Sequence, residues 1–296
     1  MSPAETSLRA GRRRVRITHP DRLMFPRDGI TKLDLATYYR DVARAMVRHA
    51  RDRPIAMQRF NDGIEGEAFF QKEIPRGAPD WIRSVRVRKE GGTVRHPLAN
   101  DAAALVWLAN QNCITPHLWT SRADRLERPD RMIFDLDPSE GGDFALVKRT
   151  ALELADLVRT AGCEPFAMTT GSRGLHVVVP LRRRAGFDQV FEAARAVAEE
   201  LARRHPDELT TAFRKNRREG RLFVDVLRNR WAQTAVAPYA VRPRPGGPVA
   251  TPVRWEEVEG LESADHFRLH DILDRLDRDG DPWERIAAAA GRLPSP

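Results

Sequence analysis

Apolar positions recur along this chain with two periods, and their alternation lays out the elements. Leu35, Tyr38, Tyr39, Val42, Ala43 and Met46 repeat at helical spacing behind a Thr31–Asp34 pair that reads as a capping box. Asp101 opens a second helix through Leu105, Val106, Leu108 and Ala109. Asp143 caps a third, with the stripe Phe144, Val147, Ala151, Leu154, Ala155 and Val158 and a stop at Gly162. Phe187, Val190, Phe191, Ala194, Val197 and Leu201 mark a fourth. Between them the pattern predicts strands over 15–18, 54–60, 68–72, 132–134, 165–169, 177–179 and 222–227, and a hairpin of 85–89 with 93–96 across Glu90-Gly91-Gly92. Gln233 and Arg242 are expected on a further strand, 243–252 as a Pro/Gly-rich loop, and the stretch holding Trp255, Phe267, Ile272, Leu276 and Trp283 as helical. Residues 1–14 are expected to be a flexible basic arm, and no internal repeat is visible.

Composition narrows the setting. The chain has 296 residues, enough for one large domain or two moderate ones. Fifty Lys and Arg against 42 Asp and Glu give a net charge of +8, which favours a polyanionic partner, although a generally Arg-rich composition produces the same charge. Cys113 and Cys163 lie far apart, so neither a zinc ribbon nor a disulfide framework is supported and a reducing, cytoplasmic setting is expected. No apolar run reaches membrane-spanning length, and no signal-peptide stretch follows the basic N-terminus, so no membrane partner is expected.

The chemistry centres on Met132-Ile133-Phe134-Asp135-Leu136-Asp137-Pro138. Asp135 and Asp137 stand at i, i+2 on a strand, so both carboxylates point to one face. Two such charges repel unless a divalent cation joins them, and Mg²⁺ or Mn²⁺ prefers oxygen ligands. Two solvated turn aspartates would read the same way, so the rest of the chain has to decide. Asp225 is expected within an apolar strand, where an unpaired carboxylate is costly, and it is the natural third ligand. Thr170-Gly171-Ser172-Arg173-Gly174-Leu175-His176 joins two predicted strands. Its glycines can aim backbone N–H groups at an anion, while Ser172, Arg173 and His176 add a hydroxyl, a fixed charge and a switchable donor. A tight hairpin without a ligand is the plainer alternative. Phe69 and Phe70 are adjacent on a strand, so one of them is free to stack on a base. Arg22 and Lys32, His117, Gln233 and Arg242 each read as plain surface or structural groups on their own, and the basic run Arg214–Arg221 reads as a solvated loop.

Together these residues resemble the polymerase domain of bacterial ligase D, in the archaeo-eukaryotic primase superfamily. Phe134-Asp135-Leu136-Asp137 is similar to the first metal motif, Ser172-Arg173-Gly174-Leu175-His176 to the Ser-x-Gly-x-His nucleotide motif, and Val224-Asp225 to the third. Gln233 to Tyr239 with Arg242 is similar to the nucleotide-binding tail. The resemblance spans roughly 15–290 and implies an α/β (α+β) primase-polymerase fold, with mixed sheets flanked by helices around a catalytic groove. It implies one catalytic domain over 15–296, with an N-terminal lobe to about 125 and a catalytic lobe from about 126. It implies template-directed nucleotidyl transfer that fills gaps and extends DNA ends during non-homologous end joining, with two Mn²⁺ or Mg²⁺ ions at Asp135, Asp137 and Asp225. Ser172, Arg173, Gly174, His176, His117, Gln233 and Arg242 would bind a nucleoside triphosphate, ribonucleotides being preferred. Arg22 and Lys32 would hold a downstream 5′-phosphate, and Phe69 and Phe70 would meet the template. Ku and an ATP-dependent DNA ligase are the implied partners, at broken or gapped DNA in the nucleoid. Arg22 and Arg173 stand where lysine is common in that family, and Thr115-Pro116 replaces the usual run before His117. The Lys-x-Asp-Gly adenylation motif is absent, so the chain is not expected to ligate. Two other readings stay open: a haloacid-dehalogenase-type phosphatase with Asp135 as nucleophile, which Pro138-Ser139 disfavours, and a non-catalytic DNA-end binding module.

Overall fold

The structure, a computed structural model, describes residues 5–294. In chain order these form β1 (Glu5–Ala10), β2 (Arg13–Thr18), β3 (Leu23–Phe25), β4 (Ile30–Thr31), α1 (Lys32–Asp41), α2 (Ala43–Ala50), β5 (Ile55–Phe60), β6 (Ala68–Gln71), β7 (Ser84–Lys89), β8 (Gly92–Pro97), α3 (Ala102–Asn110) and β9 (Cys113–Leu118). They continue with β10 (Arg131–Asp137), α4 (Phe144–Thr160), β11 (Phe166–Thr169), β12 (Leu175–Pro180), α5 (Phe187–Arg204), β13 (Leu209–Thr210), β14 (Leu222–Asp225), β15 (Ala235–Val236), β16 (Pro252–Val253), α6 (Trp255–Val258) and α7 (Ile272–Asp279). The mixed α/β class expected from the sequence is the class observed.

The chain divides into two compact units. The first takes residues 1–119, 234–250 and 267–280, and the second takes 120–233, 251–266 and 281–296. The C-terminal third therefore alternates between the units, where the sequence predicted a single boundary near 125.

In the first unit β15-β9-β5-β6 form an antiparallel sheet, with three separate hairpins, β1–β2, β3–β4 and β7–β8. The Thr31–Asp34 capping box closes in both directions, and Asp101 accepts from the Ala104 N–H, as the spacing predicted. The first apolar stripe breaks at Val42, so it makes two helices rather than one. The arm expected to be flexible is ordered from Glu5: β1 and β2 form a hairpin about Gly11, and Val15 and Ile17 are buried. Residues 1–4 of that arm lie outside the described residues.

In the second unit six strands run β13-β14-β10-β12-β11-β16, antiparallel except for the β13–β14 pair. β12 is buried along its whole length. The stripes of α4 and α5 pack on this sheet. Trp283 donates its indole N–H to Ala167 at 2.9 Å, and Trp255 donates to Pro165 at 2.8 Å, so residues far along the chain brace β11 and the turn before it. Among the described residues no helix is long and apolar enough to cross a membrane. Both cysteines are buried and free.

Candidate active site

The second unit gathers all three predicted acids on one sheet face. β10 keeps Leu136 fully buried and turns Asp135 and Asp137 to the other side. Asp225 stands directly opposite Asp135 in the β10–β14 register, so its side chain shares that face. It ends β14 rather than sitting mid-strand: its Oδ1 accepts from the Leu227 N–H at 2.7 Å, and the chain bends there into a short 3-10 turn over Leu227–Asn229.

Each acid has a different electrostatic surrounding. Burial alone would raise Asp135, but His176 and Arg228 outweigh it and hold the carboxyl well below the usual range. His176 Nε2 lies 3.4 Å from Asp135 Oδ1, and the Arg228 guanidinium lies 3.3 Å from Oδ2. Asp137 is clasped by Arg173 at 3.2 Å and Arg218 at 3.3 Å. Asp225 is pushed up by burial and further by the neighbouring Asp135, with the Leu227 N–H opposing both. A carboxylate that its surroundings push toward neutrality, facing a second acid, is short of positive charge.

The turn at 170–176 packs directly against this strand. A Cβ on Gly174 would lie 1.8 Å from the Leu136 carbonyl oxygen, so only glycine lets the turn come this close. Gly171 N–H bonds to Ala264 O and Gly174 N–H bonds to the Thr170 hydroxyl. Those two donors close the turn and are not aimed at an anion, which corrects the sequence expectation. Ser172 is half-buried, Arg173 is exposed toward Asp137, and His176 is buried with its Nδ1 lacking a protein partner. Gln233, expected on a strand, lies in the loop after Trp231 and is exposed.

Two arginines at this site were missed from sequence. Arg218 belongs to the run read as a solvated loop, yet it is buried, stacks 3.9 Å from the Phe223 ring centroid and reaches Asp137. Arg228 follows Asp225 by three residues and reaches Asp135. The only signal available was balance: three acids on one face require cations.

The donor set fits hard divalent ions, being carboxylate oxygens on one face with Asp225 in want of a cation. Among the described residues no three acid, His or Cys side chains already converge on one point; Asp135 and Asp137 face arginines, and Asp225 accepts from the Leu227 N–H.

The first unit carries the other predicted residues. The β3–β4 hairpin brings Arg22 and Lys32 together, with Lys32 N–H donating to Arg22 O at 2.8 Å. Lys32 is almost wholly buried, and its Nζ donates to the Thr18 hydroxyl at 3.3 Å. Burial first, then Arg22 and Arg59, pushes its pKa down to about 8. Arg59 was not foreseen as part of this cluster. It lies opposite Phe69 in the β5–β6 register, with its guanidinium carbon 5.2 Å from that ring's centroid. Phe70 faces the other side of the sheet, edge-on to His117 at 5.2 Å, and both phenylalanines are exposed. His117 Nδ1 is 3.2 Å from Thr115 O. Arg242, expected on a strand, follows β15 in a loop held by its own N–H to Pro248 O at 2.7 Å.

Acids on one sheet face with a glycine-tight turn packed beside them are the arrangement expected of a primase-like polymerase domain. The chain belongs to the LigD primase-polymerase domain family, whose match covers residues 31–283. It is similar to the multifunctional non-homologous end joining protein LigD of Mycolicibacterium smegmatis, at 35% identity over 95% of this chain and 37% of that protein. It is 37% identical to the protein of the same description from Pseudomonas aeruginosa, over 96% of this chain and 34% of that protein. The chain thus spans little more than a third of the curated relatives it matches. The polymerase domain of Mycobacterium tuberculosis ligase D, solved in complex with DNA, superposes with a TM-score of 0.87 at 33% identity, covering 94% of this chain and 99% of that one. Membership of this family sets the phosphatase alternative aside.

Proposed function

We propose that this chain is a template-directed nucleotidyltransferase that fills gaps and extends DNA ends during non-homologous end joining, its two units acting as one catalytic domain. The observation that carries this reading is the shared face of Asp135, Asp137 and Asp225, set by the strand alternation and by the β10–β14 register. These three residues would hold two Mn²⁺ or Mg²⁺ ions. When bound, such ions lower the pKa of a primer 3′-hydroxyl and neutralise charge on the leaving pyrophosphate. Ser172 and His176 would orient the triphosphate, and Arg173, which is half-exposed, can exchange its bond to Asp137 for one to a phosphate oxygen. Gln233 in the second unit, and separately Arg242 and His117 in the first unit, are the further residues that the family resemblance proposes for nucleotide binding. Arg22 and Lys32, joined by Arg59, form a compact cationic cluster suited to a dianionic 5′-phosphate. Phe69 and Phe70 are exposed aromatics suited to stacking on template bases. Ku and an ATP-dependent ligase would act beside it at the nucleoid.

Primer extension with an α-labelled nucleotide tests the reading. Wild type should extend a gapped primer, and Asp225→Ala should not, while circular dichroism and DNA affinity stay unchanged. Extension by Asp225→Ala at the wild-type rate would refute the assignment. In the same assay ribonucleotides should serve at least as well as deoxyribonucleotides, and Mn²⁺ should outperform Mg²⁺. A strong deoxyribonucleotide preference would count against it.

A further inference from the structure

β14 stops pairing before β10 does. It meets β10 only over Asp135–Asp137, with Asp225 opposite Asp135. Continued two residues in the same register, the ladder would set Leu227 opposite Ile133. Leu227 instead opens the 3-10 turn, and its N–H is engaged by Asp225 Oδ1. Ile133 is buried, so its N–H and carbonyl on that side need another partner. The wholly buried side chain of Asn229 supplies it. Its Oδ1 accepts from the Ile133 N–H at 2.8 Å, and its Nδ2 donates to the Ile133 carbonyl at 2.7 Å. The same Nδ2 donates to Val226 O at 2.8 Å, inside the turn. One side-chain amide thus stands in for the missing backbone of β14. Only an amide offers the acceptor and the two donors that this gap requires.

The clamp brackets two groups of the site. The ladder pins the chain to β10 up to Asp225, and Asn229 pins it again four residues later. Between the two anchors lies Arg228, 3.3 Å from Asp135. Two facing carboxylates repel each other, so Asp135 and Asp225 do not hold themselves together. The Leu227 N–H steadies Asp225, but it belongs to the turn that Asn229 fastens. We propose that Asn229 is a positioning residue of the metal site: by replacing the missing strand it holds the 225–228 segment against β10 and keeps Asp225 facing Asp135. The inference rests on the reading of Asp135, Asp137 and Asp225 as the carboxylates that hold the ions. Asn229 acts through the backbone and touches neither substrate nor metal.

The test measures Mn²⁺ binding by electron paramagnetic resonance, without nucleotide or DNA, for wild type, Asn229→Ala and Leu154→Ala. Leu154 is a buried core residue of α4 in the same unit, so its variant loses stability without touching the turn. Below its melting midpoint Asn229→Ala should keep the wild-type circular dichroism spectrum. It should bind Mn²⁺ about tenfold or more weakly, the loss typical of removing a group that orients metal ligands. The Mn²⁺ concentration for half-maximal primer extension should rise in parallel, with DNA affinity unchanged. Leu154→Ala should melt several degrees lower and bind Mn²⁺ as wild type does. Asn229→Ser, which keeps a hydroxyl in the gap, is read in the same way if the alanine variant does not fold. Unchanged Mn²⁺ binding in the folded Asn229 variant would show a residue that only stabilises the sheet, and overturns the positioning role. Equal weakening in Leu154→Ala overturns it too. A wild type that binds no Mn²⁺ overturns the metal reading itself, and the inference with it.

Discussion

Lys32 shows how burial and two neighbouring cations tune one side chain. A lysine whose folded pKa is about 8 binds fewer protons when folded than when unfolded, up to its ordinary value near 10.5. Stability contributed by this group therefore rises with pH across that window, and the cost of keeping it charged is fully present below about pH 8. With the proposed 5′-phosphate as ligand, this cost falls where a cation is useful, since that phosphate becomes dianionic as pH rises through its second pKa near 6. The preference for a phosphorylated end over an unphosphorylated one should accordingly be large at pH 7 and decline as pH rises past 8, although the bound phosphate itself delays the loss. Lys32→Arg, which stays charged, should flatten that profile. Arg59→Ala removes one of the two neighbouring cations and should move the decline to higher pH. A wild-type preference that is constant from pH 7 to 10 would refute this role for Lys32.

At the scale of elements, sequence served best where structure is local. The Thr31–Asp34 box, the Asp101 and Asp143 caps and the β7–β8 turn were legible because each is written within a few residues. β1 and the turn at Gly11 were read as part of a flexible arm, and only 15–18 as a strand, because five arginines masked the alternation that runs back from Val15 to Ala10. The acids were found by strand alternation, but their partners were not. Arg218 and Arg228 reach the site through a loop and a 3-10 turn, whose course depends on contacts made only after folding. The turn at 170–176 was recognised as glycine-rich for a reason that proved incomplete, since Gly174 is required by the Leu136 carbonyl. Gly174→Ala should force the turn off β10. An overpacked contact of this kind costs about 1–3 kcal/mol, and at roughly 2–4 °C per kcal/mol the melting midpoint should fall by several degrees. Gly260→Ala, whose new Cβ meets nothing nearer than 3.7 Å, is the control. Equal melting of the two variants would show that the turn is not held as tightly as the contact implies.

For the whole molecule the net charge of +8 makes a prediction that separates the two substrates proposed for it. Duplex DNA holds condensed counterions, and each phosphate neutralised by a cation releases about 0.9 of one. Neutralising about four phosphates would give a slope of about −3.6 in log affinity against log salt. Raising salt from about 50 to 200 mM should then weaken DNA binding about 150-fold. A nucleoside triphosphate is a small anion without such an atmosphere. Its KM, measured with DNA held saturating at each salt, should change far less over the same range. Extension at saturating DNA should likewise persist at 200 mM salt, while extension at limiting DNA collapses. If DNA affinity were flat across this range, the basic surface would be compositional charge rather than a binding surface, and the proposed phosphate pocket would lose its electrostatic basis.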